Sequence, residues 1–224
     1  MVFCRWLSIV CLAVPTVVSA QSAPTWPDTF DSRVQALALI QTLNAAILSS
    51  RSATATLEQW CRDHKLADDP TIVADVVRGP ETPATAEQRG RLQIGEQEPV
   101  KYRRVELRCG TRVLSKAEIW YVPSKLTAEM NRLLETTSTP FGRVVQPLQP
   151  YRQTFAAALL WSPLPDGWET RAAAWPKPTG RPLVIPDAIF AHRAVLYHDR
   201  APLAEVNEVY QRQILAFRPP PRVQ

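Results

Sequence analysis

The chain has 224 residues, of which 46% are hydrophobic, with 26 basic and 21 acidic side chains. A chain of about 200 residues can bury roughly 70% of its surface, which suits one globular domain. The basic excess is small and its side chains are dispersed, without the dense basic stripe that is typical of nucleic-acid-binding proteins. We therefore expect no nucleic-acid partner.

The first part of the chain has the pattern of a secretory signal peptide. Arg5 precedes a mostly apolar run over 6–18, and residues 18–20 supply a small-residue cleavage site. The alternative is a membrane anchor, but a spanning helix needs about 20 apolar residues and this run is shorter and contains Pro15. We expect a signal peptide over 1–20, cleavage before Gln21, a periplasmic or secreted protein and no stable membrane insertion.

Signal removal leaves two cysteines, Cys61 and Cys109. Disulfides persist in the compartment to which such a signal directs a protein, so one interpretation is a bond between them. The alternative is two separate buried thiols, because a free cysteine packs as a small hydrophobe. Sequence alone does not fix the Cα separation that a bond requires, and both interpretations stay open.

The N-terminal half is predicted to be helical before it becomes extended. Apolar residues recur at helical spacing after Asp31 or Ser32, either of which can cap the helix. A second helix is predicted to begin at Ser52 or Thr54. The predicted elements are an exposed leader over 21–30, helices over 31–48 and from 52 or 54 onward, a strand over 71–77 and an exposed loop with at most a marginal helix over 79–99.

From residue 100 the apolar pattern has a period of two, which is typical of strands. In the first of these, Val105 and Leu107 face one way while Arg104 and Glu106 face the other. The predicted elements are strands over 102–109 and 112–122, a helix over 128–135 capped by Thr127, strands over 144–146 and 154–161, an irregular segment over 163–186, a hairpin of 190–197 with 203–217, and a flexible tail over 219–224. Helices followed by hairpin-linked strands predict an α+β fold with an antiparallel sheet.

Glu208 lies in an apolar row of the last predicted strand. Val206 and Tyr210 share its face, whereas Glu205 and Asn207 face the other way. A carboxylate is costly to bury unless it is paired. It is therefore either a cavity-lining group whose pKa is raised by desolvation, or an edge-strand residue paired with an arginine, and the pattern alone favours the second.

Three segments in the same order resemble the chorismate pyruvate-lyase family. They are YRRVELRCG at 102–110, IWYVPSKLTAEMNRLLETTSTPFGRVV at 119–145 and PLAEVNEVY at 202–210. The family splits chorismate into 4-hydroxybenzoate and pyruvate without a cofactor. The resemblance implies a domain over 31–218 with a single antiparallel sheet and helical flaps over an internal ligand cavity.

The resemblance also implies four site residues. Arg104 corresponds to the family arginine that holds a ligand carboxylate, with Arg103 as the alternative, and Glu208 to the glutamate that contacts the ring hydroxyl. Arg104 and Glu208 are then the catalytic pair. Phe141 and Ala53 correspond to residues that bind ligand through backbone amides, where the family usually has Leu and its best-known members have Met.

Two functions follow from these residues. The first is an exported lyase that cleaves chorismate or a related enolpyruvyl ether. The alternative is an exported binding module for an aromatic carboxylate, which the signal peptide favours because chorismate is made in the cytoplasm. The three histidines lack metal-ligand spacing, so we expect no metal and no cofactor. We also expect a monomer whose partner is a small aromatic carboxylate.

Overall fold

The computed structural model of the protein describes residues 25–170, 177 and 180–217. The predicted signal peptide (1–20) and tail (219–224) lie outside the described residues. None of the helices in the described part is long and apolar enough to cross a membrane. The predicted exposed leader differs from the structure at Trp26, which is buried because its indole packs in the core and its Nε1 donates to the carbonyl of Leu215 at 3.0 Å.

Six antiparallel strands form one sheet in the spatial order β1-β2-β3-β6-β5-β4. The β5–β6 turn consists of Asp199 and Arg200, both with positive φ (46° and 68°), the backbone that a tight two-residue hairpin requires. The predicted α+β fold with a single antiparallel sheet is confirmed. The strands are β1 (Ile72–Val76), β2 (Lys101–Cys109), β3 (Arg112–Tyr121), β4 (Tyr151–Leu159), β5 (Ala188–His198) and β6 (Ala201–Gln211).

The first four of the helices given below begin at side-chain caps, whereas the last begins after Pro140 without one. Ser52 accepts from the amide of Ala55, and Thr127 from the amide of Met130, as predicted. The first helix begins earlier than predicted because Thr29 is its cap. The helices are α1 (Phe30–Ser49), α2 (Ala53–Asp63), α3 (Ala86–Leu92), α4 (Ala128–Thr136) and α5 (Phe141–Val144).

The segments over 79–99 and 144–146 both contain short helical stretches. Helix α3 lies in the predicted loop with at most a marginal helix, where a reciprocal capping box of Thr85 and Gln88 stabilises seven residues. The helix is difficult to predict from its polar sequence, because only two of its residues, Gln88 and Leu92, are buried. The predicted strand over 144–146 is the end of α5 and a 3-10 turn, since the Pro140 that precedes α5 starts a helical turn.

A disulfide joins Cys61 of α2 to Cys109 of β2, which confirms one of the two interpretations. The Cα atoms are 6.3 Å apart, within the usual range for the bond. Both residues are fully buried. The bond therefore fixes α2 against the sheet.

The helices lie on both faces of the sheet. On one face α2 is held by the disulfide, and α1 by a 2.7 Å hydrogen bond between Asn44 and His192. On the other face α3 is held by Glu205, whose Oε2 lies 2.7 Å from Nε of Arg91. We call these the cavity face and the reverse face.

Candidate functional site

A cavity of about 660 Å³ lies on the cavity face, between the sheet and the first residues of α2 and α5. Its volume is in the range of small-molecule sites. Its polar groups include Arg152 and Glu208 on the sheet and Arg51, Glu58 and Arg143 beside the helices. The apolar walls include Val105, Leu107, Ala117, Ile119, Phe141, Leu196 and Val206.

Arg152 and Glu208 form a buried ion pair in the cavity wall. Nη2 of Arg152 lies 2.6 Å from Oε2 of Glu208, and their side chains are 4% and 8% exposed. Desolvation by burial, the largest single effect, lowers the pKa of Arg152, but the interactions with Glu208 and Tyr210 together outweigh it, so the pKa rises above its ordinary value. Arg152 is therefore a permanent cation at the cavity.

Tyr210 contacts the same oxygen of Glu208 as Arg152 does. Its hydroxyl donates to Oε2 of Glu208 at 3.1 Å, and burial raises the pKa of Tyr210 well above its usual value. His192, opposite Glu208 on β5, is hydrogen-bonded to Asn44. Burial, with a smaller effect of the positive charge of Arg152, lowers the pKa of His192 to about 4, so it is neutral at pH 7. The neighbours of Glu208 are therefore the cation of Arg152, the phenol of Tyr210 and a neutral His192.

Arg152 has donors that the described residues leave unused. Its Nε and Nη2 are buried and have no hydrogen-bond acceptor in the described part of the chain. The 2.6 Å approach of Nη2 to Glu208 is therefore an ion pair without a well-directed hydrogen bond. Buried polar groups are normally satisfied, and a ligand carboxylate is the kind of group that would satisfy this edge.

Ala53 and Phe141 both line the cavity, at the first residues of α2 and α5. A Cβ added to Gly142 would lie 3.2 Å from Oγ1 of Thr54, so glycine lets the two helices meet closely. The side chain of Ser52 accepts from the amide of Ala55. Residues 52–55 line the cavity, so the N-terminal end of α2 lies there. The positive end of the α2 dipole therefore lies at the cavity. The ligand contacts of Ala53 and Phe141 stay predictions.

The structure does not bring Arg104 to the cavity. Strand alternation places it on the reverse face, because its neighbour Val105 lines the cavity. There it lies opposite Glu118, with its Nη2 close against Gly79. The predicted partner of Glu208 is corrected accordingly: the arginine beside Glu208 is Arg152.

Arg103, the alternative, shares the face of Val105 but has a different role. It is buried and donates to the carbonyls of Thr137 at 3.1 Å and Thr139 at 3.2 Å. It therefore holds the loop that leads into α5, and so positions Phe141.

The other two arginines at the cavity are already engaged. Arg51 donates to the carbonyl of Gln149 at 3.1 Å. Arg143 is paired with Glu58, which also accepts from the amide of Ile72. Arg152 differs from both in that its unused donors are buried.

Sequence reasoning missed Arg152 because the predicted strand began at Thr154, whereas β4 begins at Tyr151. A strand begun three residues earlier would have placed Arg152 and Thr154 on one face. This alternation is the feature of the sequence from which Arg152 could have been placed on the same face of the strand as Thr154.

The comparisons with known proteins give one related sequence and several distant folds. No family model matches the chain. It is 46% identical over 215 residues to a protein described as uncharacterized protein y4mC of Sinorhizobium fredii, covering 95% of this chain and 90% of that protein. The effector domain of PhnF from Mycobacterium smegmatis is 12% identical, covers 72% of this chain and 88% of its own, and has a TM-score of 0.45. A GntR-family transcriptional regulator from Bacillus cereus is 10% identical, covers 68% of this chain and 99% of its own, and has a TM-score of 0.38.

These findings correct the resemblance to the chorismate pyruvate-lyase family, which is wrong as a family membership. No family model supports it, and the matching sequence does not carry that description. The arginine on which the catalytic pair depended also faces away from the cavity. The chain belongs to the family of the y4mC protein of Sinorhizobium fredii.

Proposed function

We propose that the protein is an exported binding module for a small aromatic carboxylate, which it holds in the cavity beside Arg152. The single observation that carries this proposal is the buried guanidinium of Arg152, which lines the cavity with unused donors. Burying a cation in this way is costly unless its hydrogen bonds are made.

The charges around the cavity favour an anionic ligand. Glu208 balances the charge of Arg152, and Glu58 balances the charge of Arg143. Arg51 is the third arginine at the cavity, so the lining has a small excess of positive charge. The dipole of α2 adds to it. A carboxylate bound to Arg152 would make charge-assisted hydrogen bonds, each of about 1.5 to 3 kcal/mol.

The body of the ligand would lie against the apolar walls. Val105 and Ile119 come from the sheet, and the ring of Phe141 comes from α5, with its centroid 5.6 Å from that of Tyr121. A planar ring fits between such groups and gains from edge or offset contacts with Phe141. Benzoate and its hydroxylated forms combine this body with one carboxylate.

Glu208 favours binding over turnover. Its Oε2 lies 2.6 Å from Nη2 of Arg152 and accepts from the hydroxyl of Tyr210, so the carboxyl group is fixed in one position. A carboxyl oxygen that already has two partners can orient a ligand but is poorly placed to take a proton from it. Export before Gln21 places the module outside the cytoplasm in this proposal.

The test is calorimetric titration of the purified protein with 4-hydroxybenzoate and with its neutral isostere 4-hydroxybenzamide. The acid should bind, and the amide should not. Arg152→Met should lose at least tenfold in affinity for the acid, while Arg104→Met, a matched change on the reverse face, should keep it. Circular dichroism and thermal unfolding check that both variants are folded.

Two outcomes would overturn the proposal. One is a folded wild-type protein that binds neither 4-hydroxybenzoate nor benzoate. The other is loss of binding in Arg104→Met with full binding in a folded Arg152→Met.

A further inference from the structure

The sheet ends on one side at β4, a nine-residue edge strand. It pairs with β5, and no second strand lies beside it in the described part of the chain. Large apolar side chains along it face solvent: Tyr151, Phe155, Leu159 and the following Leu160 are 40%, 41%, 41% and 50% exposed. An open apolar edge of this kind is a template for pairing with another strand.

The opposite edge of the sheet is protected in ways that β4 is not. The amide of Ala74 in β1 donates to the carbonyl of Ser138 at 2.8 Å, so the outer side of β1 is partly covered. Asp75 also places a charge on β1, where it pairs with Arg108. Charged side chains on an edge oppose unwanted pairing.

Charge is nearly absent from β4. Between residues 151 and 161 the one charged side chain is Arg152, and it is buried against Glu208. A second β4 approaching this edge would therefore meet no like charge. A strand of acidic or basic sequence would gain no charge complementarity here, so a copy of the same strand fits better.

The bulge in β4 defines which part of the edge is regular. The register with β5 shifts between Thr154 and Ala156, and the extra residue Phe155 lies under the guanidinium groups of Arg91 and Arg193 at 4.5 and 5.1 Å. A bulge disrupts pairing where it occurs. Beyond it, residues 156–160 read Ala-Ala-Ala-Leu-Leu, and the small alanines allow a second backbone to approach.

We propose that residues 156–160, the end of β4 and the residue after it, pair antiparallel with the same residues of a second copy, which joins two six-stranded sheets into one across a two-fold axis. Antiparallel self-pairing of one strand is an isologous contact, so it closes as a dimer. Each copy keeps its own cavity, because the proposed contact involves the edge of the sheet and not its cavity face. The sequence leads us to expect a monomer, and this edge indicates the opposite.

The experiment measures molar mass by light scattering after gel filtration of the full-length secreted protein over a wide concentration range. The wild type should reach twice the chain mass as concentration rises. Leu159→Lys/Leu160→Lys should halve that mass at the same concentration, because self-pairing places residue 159 diagonally across from residue 159 of the second copy and so brings like charges together near the axis. Val73→Lys/Val76→Lys, which changes two exposed residues of β1 (40% and 47% exposed), is the matched control and should stay dimeric.

A wild type that is monomeric at every concentration would overturn the proposal. So would a dimer that survives in folded Leu159→Lys/Leu160→Lys, or one that both double variants abolish equally. Thermal unfolding of each variant separates loss of the dimer from loss of the fold.

Discussion

Arg152 and Glu208 lie on strands separated by β5, yet their charged ends are 2.6 Å apart in the cavity wall. The pair brings a cation to a cavity whose sheet side is otherwise apolar, and it keeps that cation without fully satisfying its donors. Its stability and its ligand binding should therefore be coupled, and the first prediction follows from that coupling.

Glu208→Gln should destabilise the protein and make it more dependent on ligand. Removing one partner of a buried pair costs about 3 to 5 kcal/mol, because the other charge stays buried and unpaired. A carboxylate ligand would then supply the missing charge, so 4-hydroxybenzoate should raise the melting temperature of the variant more than that of the wild type. Glu129→Gln, in an exposed pair with Arg132, is the control and should leave the stability nearly unchanged. Equal ligand-induced shifts in Glu208→Gln and wild type would contradict the coupling.

Acidification should destabilise the protein through His192. Its folded pKa is about 4, below the ordinary value of 6.5, so the unfolded chain binds the extra proton first. Stability from this group is complete above about pH 6.5 and is lost as the pH falls through 4. Urea unfolding of His192→Gln should show a weaker loss between pH 7 and pH 4 than the wild type. His64 is present in both proteins, so the difference isolates His192, and parallel pH profiles would count against this origin.

Loss of the disulfide should lower the free energy of unfolding by roughly 4 kcal/mol, the loop-closure value for a closed loop of 48 residues. Cys61→Ala/Cys109→Ala tests this by chemical denaturation. Reductant should destabilise the wild type and leave the double variant unchanged. Thiol labelling of the denatured, unreduced secreted protein should find no free thiol, and two labelled thiols per chain would mean that the bond does not form in the cell.

Export should remove residues 1–20. Intact-mass spectrometry of protein from the periplasm or the medium should give a chain that begins at Gln21, because the small residues Val18 and Ala20 suit signal peptidase. Ala20→Leu should slow cleavage, whereas Ala23→Leu, beyond the site, should not. Recovery of the chain with Met1 intact from the soluble cytoplasm alone would contradict export.

The sequence predicts the local geometry of the site better than its assembly. Period-two alternation places Val206, Glu208 and Tyr210 on one face, and in the structure Glu208 lines the cavity with Val206. The cap at Ser52 also locates the start of α2. These features depend on neighbours in the chain, which a pattern records.

The partner of Glu208 depends on which strands lie side by side. Arg152 reaches Glu208 only because β4, β5 and β6 are adjacent in the sheet, and no local pattern states that order. Arg104 was chosen through a resemblance instead, although its alternation with Val105 already pointed it the other way. Helix α3 is predicted as at most a marginal helix for a similar reason, since its stability comes partly from contact with the reverse face as well as from its capping box.

Strand β6 carries a buried carboxylate on each face of the sheet, Glu205 with Arg91 and Glu208 with Arg152. A slip of β6 by one residue would exchange their faces and leave both acids without their arginines. The two ion pairs therefore make misregistered pairing of a central strand costly in two places at once. Strand β6, the last in the sequence, pairs with both β3 and β5. It thus has only one alignment in which the two glutamates and their two arginines are all paired.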